Sequence, residues 1–100
     1  MATLYITEYE RQAFDGATQL TPVPLEVPLA NQTKAIGGAS VQSSAFNART
    51  ALVRLATDTA CHVEVGVNPT ATATTRFLPA NFVEYIGVPQ GGAFKVAVIA

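Results

Sequence analysis

Residue types that commonly carry chemistry are scarce in this chain of 100 residues. It has no tryptophan, one cysteine and one histidine. The single Cys61 excludes an internal disulfide and a zinc site built from cysteines. Charged residues make up 13% of the chain, about half the usual share of ~25%. With a net charge of −1, nothing in the composition attracts nucleic acid or an anionic membrane.

Long apolar segments are missing as well. No apolar run approaches the ~18 residues that a membrane-spanning helix needs. The first ten residues, "MATLYITEYE", are polar and acidic, unlike a secretory signal. We therefore expect synthesis and folding in a reducing cytoplasm.

The apolar content is weighted toward a small side chain. Hydrophobic residues are 49% of the chain, but 17 of them are alanine. Threonine, alanine and serine occupy positions that charged residues usually take. A surface so poor in charge favours a protein that is packed among neighbours over a free monomer.

Alternation of apolar and polar residues is the strongest local pattern. In "CHVEVGV" it places Cys61, Val63 and Val65 inward and His62 and Glu64 outward. Segments with such alternation predict strands over 3–9, 51–57, 61–67, 81–88 and 93–100. "SSAFNARTALVRLA" (43–56) has some helical spacing, but we favour a strand in its second half. The expected fold is all-β, a small antiparallel β-sandwich or barrel, jelly-roll-like.

Turn chemistry predicts how the strands connect. "TDTA" (57–60) suits a hairpin between its flanking strands, and "PQGG" (89–92) suits a C-terminal hairpin. Pro22, Pro24 and Pro28 predict an extended region, on a sheet edge or off the sheet. We expect one domain over 1–100, with an arm or edge strands in 1–45 and a compact sandwich portion in 46–100.

No catalytic constellation stands out. His62, Asp58 and nearby serines (Ser40, Ser43 and Ser44) are the ingredients of a triad, but no nucleophile-elbow motif surrounds any serine. Cys61 and His62 point to opposite faces of a strand and cannot share a metal ion. The glycine-bearing segments read as turns. We expect no enzyme activity, no catalytic residue, no cofactor and no metal.

Two segments contain candidate contacts for a partner protein. "YITEYERQAFDG" (5–16) is either an edge strand followed by a solvated turn, or a set of aromatic anchors for a neighbouring subunit. "VNPTATATT" (67–75) has no large apolar residue after Val67, so we expect a surface loop that is ordered either by itself or by a partner. The candidate contact residues are Tyr5, Tyr9, Phe14, Thr70, Thr72, Thr74 and Arg76.

The second half of the chain resembles small virion proteins of tailed phages and prophages. The resemblance runs over 51–100 and rests on a strand ending in "TD", on "CHVEVGVNPTAT", on an "LPA…EY" segment and on a final "FKVAVI" strand. It implies a decoration or cement protein that binds the outside of a capsid and bridges coat subunits. The implied partners are the major capsid protein and further copies of this chain, for which a cyclic trimer would suit three-fold positions. The implied location is the virion.

Two other functions remain open at this point. The protein could be a different head–tail, tail or fibre component, which the residues do not separate from a capsid protein. It could also be a small carbohydrate-binding β-sandwich. The absence of tryptophan and the scattered carboxylates count against sugar binding.

Overall fold

The computed structural model describes residues 2–14, 20–24 and 26–100 of the chain. Over that part the protein is all-β, contains no helix and forms a small sandwich of two antiparallel four-stranded sheets. The predicted fold class is confirmed. The strands are β1 (Thr3–Tyr9), β2 (Gln12–Phe14), β3 (Leu20–Pro24), β4 (Ala30–Ala35), β5 (Val41–Gln42), β6 (Leu52–Thr57), β7 (Cys61–Gly66), β8 (Arg76–Leu78), β9 (Phe82–Gly87) and β10 (Lys95–Ile99).

Each sheet combines strands from distant parts of the chain. The first sheet has the order β4-β1-β6-β9 and the second the order β5-β10-β7-β8. The inward faces follow the predicted alternation, because one side of each strand meets the opposite sheet. The buried cluster contains Leu4, Ile6, Ile36, Phe46, Val53, Leu55, Cys61, Val63, Leu78, Val88, Val96 and Val98.

The first strand differs from the expectation of an N-terminal arm or edge strand. β1 is an inner strand that pairs with β4 on one side and β6 on the other. Its Leu4 and Ile6 are completely or almost completely buried. A boundary near residue 45 therefore does not separate an arm from a sandwich, because β1 contributes to the same core as β6 and β7.

The hairpin predicted at "TDTA" is wrong. β6 lies in the first sheet and β7 in the second, so the chain crosses between sheets after Thr57. The crossing is held by Asp58, whose carboxylate accepts a hydrogen bond from the Thr3 N–H at 2.8 Å. Three residues of extended chain span about 10 Å, which is also the distance between packed sheets. The short link therefore fits a crossing as well as a hairpin.

The predicted C-terminal hairpin is also wrong in its pairing. β9 pairs with β6, whereas β10 pairs with β5 and β7. The turn itself is present: the Gly92 N–H donates to the Pro89 carbonyl at 3.2 Å, and Gly91 has a φ of 75°. Glycine adopts that backbone conformation at little cost. The turn thus redirects the chain into the other sheet.

The proline-bearing region is off the two main sheets, as predicted. β3 contains Pro22 and Pro24, and among the described strands its partner is β2, in a separate two-stranded ribbon. Proline lacks the N–H that a central strand would donate, which explains why β3 has no place inside either sheet.

The inner position of β1 generates a stability prediction. We expect Ile6→Ala to lower the free energy of unfolding by about 2–5 kcal/mol, because it opens a cavity in the shared core. Tyr5→Ala is the matched control, since the neighbouring Tyr5 side chain is half exposed, and it should cost less than about 1 kcal/mol. Urea denaturation measures both. Equal effects would contradict the placement of β1.

Candidate functional site

The main-chain hydrogen bonds show which groups of β9 point away from its sheet. The Val88 N–H donates to the Ala51 carbonyl at 3.0 Å, in the same register that pairs β6 with β9. Because N–H and C=O groups alternate sides along a strand, residues 82, 84 and 86 bond to β6. The N–H and C=O groups of Val83, Tyr85 and Gly87 therefore point outward.

β9 is the least protected of the four outer strands. β5 has two residues, and β8 has three and is followed directly by Pro79. β4 is as long as β9, but its sequence "ANQTKA" is polar and includes Lys34. β9, "FVEYIG", has neither proline nor lysine, two residues that often block a sheet edge, and its one charged residue is Glu84.

Exposed apolar side chains cluster where β8 leads into β9. Phe77 is 55% exposed, Tyr85 is 51% exposed and Phe82 is 43% exposed, and the three side chains line one open groove with Pro79. Asn81, with a φ of 59°, turns the chain from the second sheet into the first at this point. We call Phe77, Pro79, Phe82 and Tyr85 the corner patch.

The charged side chains beside the corner patch balance each other. Arg76 and Glu84 face each other across a shallow open groove, with Nη1 and Oε2 3.6 Å apart. Both side chains are partly exposed, so the pair contributes little to stability. Its effect is to leave a mostly apolar surface without net charge.

The threonine-rich segment forms the ordered loop that the sequence predicts. It connects β7 to β8, which pair in one sheet. The Thr75 N–H and hydroxyl both donate to the Thr72 carbonyl, and the Thr72 and Thr74 hydroxyls are 3.0 Å apart. Ser40 accepts from the Ala71 N–H at 2.9 Å and ties the loop to the sandwich. The loop is therefore ordered by hydrogen bonds within the chain itself.

The seven predicted contact residues have different outcomes. The structure leaves these side chains exposed: Tyr5, Thr70, Thr72, Thr74 and Arg76. Tyr9 is only 7% exposed, so the expectation of an exposed anchor is wrong there. The pKa of Tyr9 is raised, mainly because the side chain is buried. The carboxylate of Glu26, to which the Tyr9 hydroxyl donates, raises this pKa further. Phe14 lies in β2, and its side chain is outside the described part of the structure.

Three exposed aromatic residues are absent from the predicted contact residues: Phe77, Phe82 and Tyr85. Phe82 and Tyr85 lie in the strand predicted over 81–88, and no strand is predicted at Phe77. A signal was present, because 81–88 carries apolar residues on both faces of its alternation, and only one face of an outer strand can meet the core. The structure places Val83 and Tyr85 on the outer face and Ile86 toward the core.

Glu8 is the one buried acidic side chain among the described residues, and its surroundings are structural. It is 1% exposed. Its Oε1 accepts from the Asn47 N–H at 2.7 Å and from the Thr50 hydroxyl at 2.9 Å. Its Oε2 accepts from the Gln32 amide at 2.9 Å. A carboxylate that is enclosed and engaged in this way holds segments together and has no access to a substrate.

The other candidate reactive groups are also occupied or enclosed. The Ser43 hydroxyl accepts from the Val96 N–H at 3.0 Å. Burial raises the pKa of the Cys61 thiol, which disfavours the reactive thiolate. His62 packs against Phe77, with ring centroids 5.3 Å apart. No group of three His, Cys, Asp or Glu side chains suited to a metal occurs in the described ranges. Nor do those ranges contain a helix long and apolar enough to cross a membrane.

Comparisons with known proteins add no relative. No family model, no curated protein and no solved structure matches the chain. The resemblance to phage virion proteins therefore stays a prediction from the sequence.

The buried Glu8 cluster generates a second stability prediction. Glu8→Ala leaves the buried Thr50 hydroxyl and the partly buried Asn47 N–H without their acceptor, while the Gln32 amide keeps the Ser44 carbonyl. Because an unsatisfied buried donor costs about 1–3 kcal/mol, we expect a loss of roughly 2–3 kcal/mol. Urea denaturation measures it. Glu64→Ala is the control, because Glu64 is exposed and its carboxylate accepts a hydrogen bond from the adjacent Val65 N–H. A loss at Glu8 no larger than at Glu64 would contradict the described role.

Proposed function

We propose that this chain is a non-enzymatic structural protein of a tailed-phage virion, a decoration protein that binds the outside of the capsid and bridges coat subunits. The observation that supports this function is the corner patch, an apolar surface beside an unprotected strand edge. The phage assignment itself rests on the sequence resemblance over 51–100. The partners in this proposal are the major capsid protein and other copies of the chain.

The chemistry of the corner patch suits binding to a protein surface. Aromatic side chains are enriched in protein interfaces and often supply most of the binding energy. The patch has three such side chains, Phe77, Phe82 and Tyr85, all substantially exposed. Exposed apolar clusters of this kind commonly mark interaction sites.

The threonine loop extends the same surface. It ends at Thr75, directly before Arg76 and Phe77 in β8. Its exposed hydroxyls at Thr72 and Thr74 can donate and accept hydrogen bonds with little loss of order, because the loop is already held by Ser40 and Thr75. In this proposal the loop and Phe77 contact the coat protein together.

Repetition over the shell makes modest contacts sufficient. Each copy that bridges two coat subunits adds a small stabilising free energy, and many copies act on one particle. A charge-poor surface avoids the cost of removing ionised groups from water at each contact. The 13% charged content is consistent with such a role.

The direct test is to mix the purified protein with capsids that lack it. We expect saturable, stoichiometric attachment and a rise in the temperature at which the capsids are disrupted. Attachment to tails instead of heads would support the other virion position. Failure to bind either structure would refute the proposed function.

A paired set of variants tests whether the corner patch is the contact. Phe77→Ala combined with Phe82→Ala should reduce capsid attachment at least about tenfold, because interface aromatics commonly contribute about 2 kcal/mol or more. Val41→Ala is the control, since Val41 is a partly exposed apolar residue on the opposite edge of the second sheet. Equal attachment by both proteins would exclude the corner patch as the contact.

Carbohydrate binding is the second candidate, and one observation favours it. Tyr5 and Tyr85 are both about half exposed on the outer face of the first sheet, where Ala56 and Arg54 separate them. Two aromatic rings on a flat sheet face are a platform on which sugars can stack. Glycan-array binding that is lost in Tyr5→Ala and Tyr85→Ala would favour this function, and the absence of any hit would remove it.

A further inference from the structure

We infer that β9 of one copy pairs antiparallel with β4 of the next copy, so that the first sheet continues from subunit to subunit. This inference deepens the proposed function by naming the surface through which copies meet. It rests on that function only for the premise that copies are neighbours. The test below uses the protein alone, so its failure is distinguishable from failure to bind capsids.

The two edges have matching main-chain groups. At β4, the Ile36 N–H donates to the Ala2 carbonyl at 3.1 Å, in the register that pairs β1 with β4. By the same alternation as in β9, residues 32 and 34 bond to β1. The groups of Asn31, Thr33 and Ala35 therefore point outward, as those of Val83, Tyr85 and Gly87 do on the opposite edge.

The strand directions permit a head-to-tail arrangement. All neighbouring strands in the sheet β4-β1-β6-β9 are antiparallel, so β4 and β9 run in opposite directions. A β4 strand added antiparallel to β9 then has the same direction as the β4 of the first copy. Such heterologous contacts generate rings when the rotation closes, which includes a cyclic trimer.

One register aligns both the main chain and the side chains. Placing Tyr85 opposite Thr33 of the next copy also places Val83 opposite Ala35 and Gly87 opposite Asn31. About six main-chain hydrogen bonds can form between these outward-facing groups. Outer-face side chains then lie beside outer-face side chains, so the faces of the two sheets agree.

Charge complementarity identifies the occupant as β4 of a second copy. In this register Glu84 lies directly opposite Lys34 of the next copy, a favourable cross-strand pair. The alternative two-fold pairing of β9 with β9 places Glu84 opposite another Glu84 or opposite an apolar residue. It supplies no cation on the neighbouring strand. Arg76 contacts Glu84 at Oε2, so both cations can share the carboxylate.

Charge reversal tests the pairing. Glu84→Lys and Lys34→Glu should each weaken self-association by about tenfold or more, because like charges then face each other. The double variant should restore the wild-type dissociation constant to within about threefold. A contact between positions 34 and 84 of the same chain cannot explain the restored association. Within one sheet β4 and β9 are three strand spacings of about 4.8 Å apart, or about 14 Å. Sedimentation equilibrium over a wide concentration range measures the association.

Two further variants separate the new contact from effects inside one subunit. Arg76→Gln removes the cation that contacts Glu84 within the chain and should leave self-association largely intact. Tyr85→Pro removes one outward N–H without removing a hydrogen bond to β6, so it should weaken self-association in a protein that still unfolds cooperatively. Urea denaturation checks that each variant is folded.

The outcomes decide the inference in either direction. Restoration by the double variant supports it. A protein that stays monomeric at every concentration overturns it, as does association that the single reversals leave unchanged. A two-fold dimer weakened by Glu84→Lys and not restored by Lys34→Glu also overturns it. Binding of the wild-type protein to capsids is measured in a separate experiment, and that result tests the proposed function and not the pairing of β9 with β4.

Discussion

The hydrogen bonds to the Glu8 carboxylate hold together β1, β4 and the segment that leads into β6, and the exposed β9 edge depends on these parts of the sandwich. They connect β1 to Gln32 in β4 and to Asn47 and Thr50 in the segment that leads from β5 into β6. That segment carries the chain from the second sheet to the first. β6 then pairs with β1 and with β9. The position of the β9 edge thus follows from a buried polar contact near the other end of the sheet.

Local alternation was enough to predict five of the ten described strands, β1, β6, β7, β9 and β10, and their inward faces. Val53, Leu55 and Val63 are buried as expected, because period-two alternation reports directly on which side meets a core. Strand partners could not be predicted in the same way. A link of three or four residues spans either a hairpin or the gap between two sheets, so "TDTA" and "PQGG" were assigned to hairpins that do not exist. The choice depends on contacts made by distant segments, including β1.

The same limit explains which parts of the candidate site were found. The exposed threonine loop follows from its lack of large apolar residues, which is a local property. The contact between Tyr9 and Glu26 joins residues 17 positions apart, which the sequence pattern does not bring together. The exposure of Phe77 and Tyr85 depends on β8 and β9 being outer strands, which is a property of sheet order. Edge positions are where an apolar strand acquires a surface available for partners.

Protection of main-chain amides tests the central claim, that the β9 edge is the surface through which copies assemble. In dilute protein the outward N–H groups of Val83, Tyr85 and Gly87 should exchange with solvent rapidly, while those of Glu84 and Ile86 should already be protected by β6. Residue-resolved hydrogen exchange on concentrated, associated protein should show new protection at the three outward amides and at those of Asn31, Thr33 and Ala35. Unchanged exchange at both edges in the associated protein would contradict the account.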